Sequence, residues 1–150
     1  MTKMKSGISE YAKRLSDNLM LHDYQQYCGL KIVHQEAGYC KCELTVTAAI
    51  DNLSHTLHGG VLYSMLDVTS MLATIPALKE GEYALTSSFN TSVMSASTLG
   101  QKVEFEAKIT RNGRNLIFTE CNAWKVASGG ERKQIASAQL TKFRLRQELD

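Results

Sequence analysis

Hydrophobic positions recur with two different periods along this chain, and each change of period marks a new element. Every second residue from 40 to 48 is apolar, which predicts a β-strand with one buried face. A shorter run at about 30 to 35 predicts another strand before it. Ser9 can cap a helix, and helical spacing of apolar residues after it predicts a helix at about 9 to 21.

A nearly continuous apolar segment predicts a long helix from about 57 to 75, ended by Pro76. Because this helix is apolar over most of its circumference, we expect it to be central and wrapped by sheet. Four strands follow, and we predict that they are consecutive and antiparallel, at about 83–93, 103–109, 116–126 and 134–145. Asn112-Gly113 marks a hairpin between two of them. The pattern predicts an α+β domain over residues 1–150, with an antiparallel sheet of five to six strands around the helix.

Composition narrows the class of protein. The chain has 150 residues, 43% of them hydrophobic and 21% charged, which is typical of a globular domain with one core. The net charge is +2 and the basic residues are scattered, so we expect no nucleic-acid partner. The start lacks the apolar run of a secretory signal, and polar residues such as Asp67 interrupt the most apolar window, so we expect no membrane contact and a cytoplasmic location.

The four cysteines do not form a metal-binding pattern. Cys40-x-Cys42 has no second pair to match it, so we predict buried core cysteines in a reducing compartment. His55 and His58 could suggest a metal pair, but no third ligand follows at a suitable spacing. The sequence therefore predicts no metal site.

The triplet His58-Gly59-Gly60, followed by Asp67, carries the strongest chemical signal. Two glycines at a helix start leave backbone N–H groups uncovered, so that a ligand oxygen can approach them. A carboxylate inside an apolar helix is costly to bury without a role or a partner. Oxyanion donors beside an acid are what acyl transfer requires. The plain alternatives are tight packing at the glycines and a structural carboxylate bonded to Thr69 or Ser70.

Several features occur in a characteristic order: Asn52, the triplet His58-Gly59-Gly60, Asp67, Thr86 on the next predicted strand, and the Gly113-Arg114 turn. This order resembles the hotdog-fold acyl-CoA thioesterases of the phenylacetate-pathway and thioesterase-superfamily member-2 type. The likeness extends from about 38 to 145. It implies a hotdog fold and hydrolysis of an acyl-CoA to a free acid and coenzyme A. It implies no cofactor, since coenzyme A enters as part of the substrate.

The resemblance also implies roles for single residues. Asn52 and the Gly59 N–H would polarise the thioester carbonyl. Asp67 would be the general base that activates water, or else a nucleophile, and Thr86 would help to hold that water. His58 would shape the loop and contact the substrate.

Further residues are expected at the substrate. They are Gly60, Tyr63 in the acyl tunnel, and Arg111, Gly113 and Arg114 near the coenzyme A phosphates, whose geometry suits arginine. Structural interpretations stay open for several residues. Asn52 could be a turn residue, Thr86 could lie on a solvated face with Ser88 and Asn90, and the arginines could be hairpin charges.

Helix geometry predicts an assembly. Gly59 and Asp67 are eight residues apart, or about 12 Å along a helix, whereas a reacting carbonyl needs both groups at about 3 Å. We therefore predict a homodimer in which Gly59 of one chain approaches Asp67 of the other. A homotetramer, as a dimer of dimers, is frequent in the family.

The alternatives to thioester hydrolysis are a non-catalytic acyl-CoA-binding module and a hotdog dehydratase, although dehydratases use a His next to Phe-Pro and a helix Glu.

Overall fold

One long helix lies inside a curled six-stranded antiparallel sheet in the computed structural model of this protein, which describes residues 7–147. The helices are α1 (Glu10–Met20), α2 (Asp23–Cys28) and α3 (Gly59–Thr74), and a 3₁₀ turn (Ile75–Ala77) continues α3. The strands are β1 (Lys31–Glu36), β2 (Tyr39–Thr45), β3 (Glu82–Val93), β4 (Lys102–Asn112), β5 (Leu116–Val126) and β6 (Arg132–Arg146). The predicted α+β class and the central helix are confirmed.

The N-terminal segment forms two helices where the sequence predicted one. The hydroxyl of Ser9 accepts a hydrogen bond from the Ala12 N–H at 3.0 Å, which caps α1 as expected. The six-residue α2 was not predicted, because so short a helix shows no periodicity. It ends at Gly29, whose φ of 74° is the left-handed conformation common after a helix.

The strand order is β1-β2-β4-β5-β6-β3, and every neighbouring pair is antiparallel. The prediction of consecutive pairing is therefore right for β4, β5 and β6 and wrong for β3. Strand β3 lies at the far edge of the sheet, paired with β6 over its whole length. Its outer edge pairs with no strand within residues 7–147, which leaves a twelve-residue row of backbone groups available for another chain.

The core lies between α3 and the concave face of the sheet. Met65, Leu66 and Leu72 of α3 are fully buried against strand residues such as Phe105 and Ile117. Complete burial of each such side chain stabilises the fold by about 1.5–3 kcal/mol. Residues Gly59–Ala77 have the length and mean hydropathy (1.2) of a membrane span, but 56% of that window is buried within this fold, as in a core helix.

All four cysteines are free and buried, as predicted. The Sγ atoms of Cys40 and Cys42 are 3.7 Å apart on the concave face. Within residues 7–147, no group of three or more His, Cys, Asp and Glu side chains is arranged to hold a metal ion.

The hairpin between β4 and β5 is confirmed, but its turn differs from the expected one. Asn112 is the last residue of β4, and neither it nor Gly113 has the positive φ of the two-residue turn that Asn-Gly favours. The Gly113 N–H donates to the Leu116 carbonyl at 2.9 Å, and a Cβ on Gly113 would lie 2.5 Å from that oxygen. Glycine is needed here for close backbone approach.

Candidate functional site

The carboxylate of Asp67 is bonded to two residues from the edge of the sheet. The Thr86 hydroxyl on β3 donates to Asp67 Oδ1 at 2.7 Å. The Lys142 ammonium on β6 donates to the same oxygen at 2.5 Å and to Thr86 Oγ1 at 2.7 Å. Because Thr86 and Lys142 are paired across β3 and β6, the sheet holds both groups below the middle of α3.

Lys142 was not predicted as a site residue. Its side chain is 0% exposed, which is rare for a lysine. Burial lowers the pKa of Lys142, while the adjacent Asp67 carboxylate opposes that shift. The sequence did contain a signal that Lys142 is buried. Ala138 and Leu140 precede it at every second position, and all three lie on the buried face of β6.

Asp67 is less buried than expected. Its side chain is 42% exposed, and the hydroxyls proposed as structural partners bond elsewhere. Thr69 donates to the Met65 carbonyl, and Ser70 is paired with Thr119. Both donors to Asp67 use Oδ1, and within residues 7–147 no hydrogen bond reaches Oδ2. One carboxylate oxygen is therefore anchored while the other is open to solvent.

Thr86 lies on the face of β3 opposite to that of Ser88 and Asn90, so the alternative in which the three share a solvated face is wrong. The register of β3 against β6 shifts between Thr86 and Ser88. This bulge inserts one residue, so alternate positions before and after it point to opposite faces. Thr86 consequently faces α3, where its hydroxyl bonds Asp67.

The start of α3 exposes one backbone donor where two were expected. His58 is the N-cap, and its Nδ1 accepts the Gly60 N–H at 2.9 Å. This bond places the proton of a neutral His58 ring on Nε2, which leaves an outward N–H. The Gly59 N–H is in no hydrogen bond of the described residues, so it is available to an oxyanion at the positive end of the helix.

Tyr63 lies one helical turn after Gly59, with its hydroxyl 3.3 Å from where a Cβ on Gly59 would be. Its ring is 43% exposed and makes an edge contact with Phe89 of β3, with centroids 6.4 Å apart. Tyr63 therefore lies beside Gly59 on the surface of α3 and links it to Phe89 of the sheet.

Asn52 has the contacts of a turn residue. Its Oδ1 accepts the N–H groups of Ser54 and Thr56 at 3.0 and 3.1 Å, and its Nδ2 donates to Thr56 Oγ1 at 2.8 Å. The loop it closes is anchored where the Leu57 N–H donates to the Ser97 carbonyl at 2.8 Å. Within one chain, Asn52 shapes the loop that leads into Gly59.

Gly59 and Asp67 are both on α3, as predicted, and the fold keeps them apart. Eight residues of helix separate them by about 12 Å along the axis. A single chain therefore presents the donor and the acid as two separate sites on one helix.

The structure separates the two arginines near the β4–β5 turn. Arg111 lines a depression with Phe118 and Thr141, away from Arg114. Arg114 and Gly113 line a pocket of about 270 Å³ at the opposite end of α3 from Gly59, together with Lys79, Glu82, Arg144 and Arg146. Four cationic side chains surround one carboxylate there, which favours an anionic ligand.

Glu82 organises this pocket. It is 5% exposed and forms ion pairs with Arg144 at 3.0 Å and Arg146 at 3.4 Å, and it accepts the Lys79 N–H at 2.8 Å. Burial alone would raise the pKa of Glu82, but the Lys79 N–H and the two arginines outweigh it and hold that pKa below the usual value.

Comparison with known proteins identifies relatives of the whole arrangement. Residues 54–129 match the family described as the thioesterase superfamily. Acyl-coenzyme A thioesterase 13 of Homo sapiens is 27% identical over 143 residues, which cover 95% of this chain and 97% of that protein. A thioesterase family protein of Silicibacter pomeroyi superimposes with a TM-score of 0.84, at 21% identity, over 91% of this chain and 99% of that one.

A mutant of the phenylacetic acid degradation protein PaaI from Thermus thermophilus superimposes with a TM-score of 0.74, at 25% identity, over 83% of this chain and 100% of that one. Together with the sheet order and the enclosed helix, these likenesses confirm the predicted hotdog fold.

Proposed function

This chain belongs to the thioesterase superfamily, and on that basis we propose that it hydrolyses an acyl-CoA thioester to a free acid and coenzyme A. The name of the human relative, acyl-coenzyme A thioesterase 13, supports this substrate class. The observation that carries the proposal is the Asp67 carboxylate, with Oδ1 anchored by Thr86 and Lys142 and Oδ2 open. A second feature is the free Gly59 N–H on the same helix.

Asp67 acts as a general base in this proposal. Oδ2 takes a proton from a water molecule as the water oxygen attacks the thioester carbonyl carbon. The Gly59 N–H donates to the oxyanion that forms, and loss of one such donor typically lowers kcat by about 10²–10³. The C–S bond then breaks, the proton passes from Asp67 to the thiolate, and acid and thiol leave.

Two chains complete the site. Because about 12 Å separates Gly59 from Asp67 along α3, an antiparallel arrangement of two α3 helices would bring Gly59 of one chain to Asp67 of the other. The unpaired outer edge of β3 supports this arrangement, since its pairing with the same strand of a second chain would join the two sheets. The protein is accordingly a homodimer with two equivalent sites. Assembly into a homotetramer as a dimer of dimers is compatible with it.

The basic pocket would bind the phosphates of coenzyme A. Glu82 lines this pocket and lies four residues before Thr86 on β3. The distance from Glu82 to Thr86 is therefore about 13 Å along the strand. The pantetheine arm would bridge this separation, and Arg114 would contact phosphate as the resemblance implied. The four buried thiols are consistent with the reducing cytoplasm, where we expect the protein to act.

The first test is release of free thiol from a panel of aromatic, medium-chain and long-chain acyl-CoAs. We expect turnover by the wild type and its loss in Asp67→Asn, with folding checked by circular dichroism. Wild-type turnover in Asp67→Asn would show that the base is wrongly assigned. Acyl-CoA binding without thiol release by the wild type would instead support a non-catalytic acyl-CoA-binding module.

Subunit mixing tests the shared site. Gly59→Val should fold, because a Cβ there would contact only the half-exposed Tyr63 side chain, with the hydroxyl nearest at 3.3 Å, and Gly59 does not have a positive φ. Each heterodimer of Gly59→Val and Asp67→Asn chains has one intact site, so an equal mixture should recover about a quarter of wild-type activity. If the chains demonstrably exchange and the mixture stays inactive, the shared site is refuted.

A further inference from the structure

Lys142 is the one fully buried side chain in the described region that carries an ammonium group, and all its polar contacts are with the candidate base and its neighbour. A buried ammonium group is costly unless its donors are satisfied. Its Nζ reaches Asp67 Oδ1 at 2.5 Å, Thr86 Oγ1 at 2.7 Å and the Asp67 carbonyl at 3.5 Å. These oxygens match the three donors of an ammonium group.

The pair is not part of a wider ion-pair network. Among residues 7–147, the other buried acids have their own cations: Glu82 pairs with two arginines, and Glu104 pairs with Lys41 and Arg132. The titratable groups that face Lys142 are Asp67 from α3 and the Cys121 thiol from β5. Burial raises the pKa of Cys121 well above its usual value and keeps the thiol neutral. Asp67 is therefore the sole anionic neighbour of the ammonium group.

The two members of the pair differ sharply in exposure. The Lys142 side chain is 0% exposed and the Asp67 side chain is 42% exposed, so the carboxylate is held from its buried side only. Both donors from the sheet reach Oδ1, and a charged donor forms the stronger hydrogen bond. Because the Lys142 stem is enclosed in the core, the position of its ammonium group is set by packing.

We propose that Lys142 is a positioning residue, which fixes Asp67 Oδ1 from inside the core so that Oδ2 is presented to the attacking water. This role rests on the proposed thioester hydrolysis. Lys142 does not contact the substrate, since its side chain is fully enclosed. Loss of the ammonium group would free the carboxylate to rotate, and a displacement of about 1 Å at a reacting group can lower turnover about 10²-fold.

The central experiment compares kcat and KM of wild type and Lys142→Met, whose side chain is similar in length and uncharged. We expect kcat to fall about 100-fold and KM to change by less than about threefold, because the interaction removed concerns the chemical step. A kcat within about threefold of wild type would overturn the proposal.

Ser70→Ala is the matched control. Ser70 is on the same helix and bonds buried Thr119 of the sheet at 2.5 Å, and Thr119 keeps the Leu140 carbonyl as a partner. This variant also removes a buried bond between helix and sheet, but kcat should stay within about twofold of wild type. If Lys142→Met and Ser70→Ala lose the same stability and also the same kcat, the role of Lys142 is only structural.

Two further measurements keep the proposal testable. If Lys142→Met does not fold, Lys142→Leu replaces it, which also lacks a donor, and an unchanged kcat in Lys142→Leu would refute the role. A crystal structure of the folded variant should show Asp67 in a different rotamer, with its bond to Thr86 broken. An unchanged rotamer would contradict the proposal. This structural result does not depend on activity, so it remains decisive if the wild type releases no thiol and the proposed function fails.

Discussion

Asp67→Asn should destabilise the fold in addition to abolishing turnover. The substitution removes the carboxylate that neutralises Lys142, and the ammonium group stays 0% exposed in the core. An asparagine oxygen can still accept its hydrogen bond, but it provides no opposite charge. Many active-site replacements leave stability unchanged or raise it, so a loss of stability here is a specific expectation.

The magnitude follows from the burial of the two partners. Breaking a fully buried ion pair by removing one partner costs about 3–5 kcal/mol. The Asp67 side chain is 42% exposed, and water already screens part of its attraction to Lys142. We therefore expect Asp67→Asn to lower the free energy of unfolding by about 2–3 kcal/mol. For a domain of this length the melting temperature should fall by roughly 4–12 °C.

The assay is urea and thermal unfolding of four proteins at one fixed concentration: wild type, Asp67→Asn, Lys142→Met and the double variant. The double variant should recover most of the stability lost in Asp67→Asn, because it no longer buries an unpaired charge. The difference between the double variant and the sum of the single variants gives the coupling energy of the pair.

The pH dependence provides a second check. The pKa of Lys142 in the folded protein is lowered, first by burial, so at alkaline pH the unfolded chain binds more protons than the folded chain. The free energy of unfolding then rises with pH between the folded pKa and the ordinary lysine value of about 10.4. Without the Asp67 carboxylate the folded pKa of Lys142 falls further, so the pH range over which stability rises extends to lower pH. The loss of unfolding free energy in Asp67→Asn, relative to wild type, should therefore shrink as pH rises.

A clear result would refute this reasoning. If Asp67→Asn and wild type have the same urea midpoint of unfolding at pH 7, the burial of the ammonium group does not depend on the carboxylate. If the double variant is no more stable than Asp67→Asn, the loss arises elsewhere.

Three other outcomes are expected. Gly113→Ala should lower the free energy of unfolding by about 1–3 kcal/mol in urea titrations, because its Cβ would lie 2.5 Å from the Leu116 carbonyl oxygen; unchanged stability would contradict the close approach. Arg114→Ala and Arg146→Ala should raise KM for acyl-CoA with little change in kcat, and equal KM values would exclude the basic pocket from substrate binding. Glu82 has a lowered pKa, so its contribution to stability should be complete above about pH 4.3 and lost as pH falls through the folded value; a Glu82→Gln variant should lack this acid-dependent step.

Residue periodicity predicted most of the fold. The alternation in β2 and β4 and the apolar run of α3 are local consequences of which face each residue buries, so they can be read from the chain itself. The position of β3 was not predictable in the same way. Strand β3 has no local feature that distinguishes pairing with β4 from pairing with β6, and the order depends on how the segment after β3 returns across the sheet.

For the candidate site too, the helical spacing, which depends on neighbours in the chain, was predicted correctly, and features that depend on contacts formed in the folded chain were not. Asp67 and Gly59 were placed on one helix at the correct spacing, because residues on a helix have a fixed rise. The alternative that placed Thr86 on a solvated face with Ser88 and Asn90 was wrong, because one bulge residue reverses which positions of β3 face α3. The prediction that the Gly60 N–H is free was also wrong, because it donates a hydrogen bond to Nδ1 of the neighbouring His58 ring.

The order of polar and apolar residues by itself determined the α+β class, the enclosed helix and the spacing of its glycine and acid, since each depends on neighbours in the chain. The tertiary structure decided which oxygen of Asp67 is anchored and by what. Lys142 is 75 residues from Asp67 in sequence, and the two meet because the Lys142 side chain extends from β6 to the middle of α3. A buried charge is tolerated where a partner of opposite charge is within contact, and only the folded chain brings these two together.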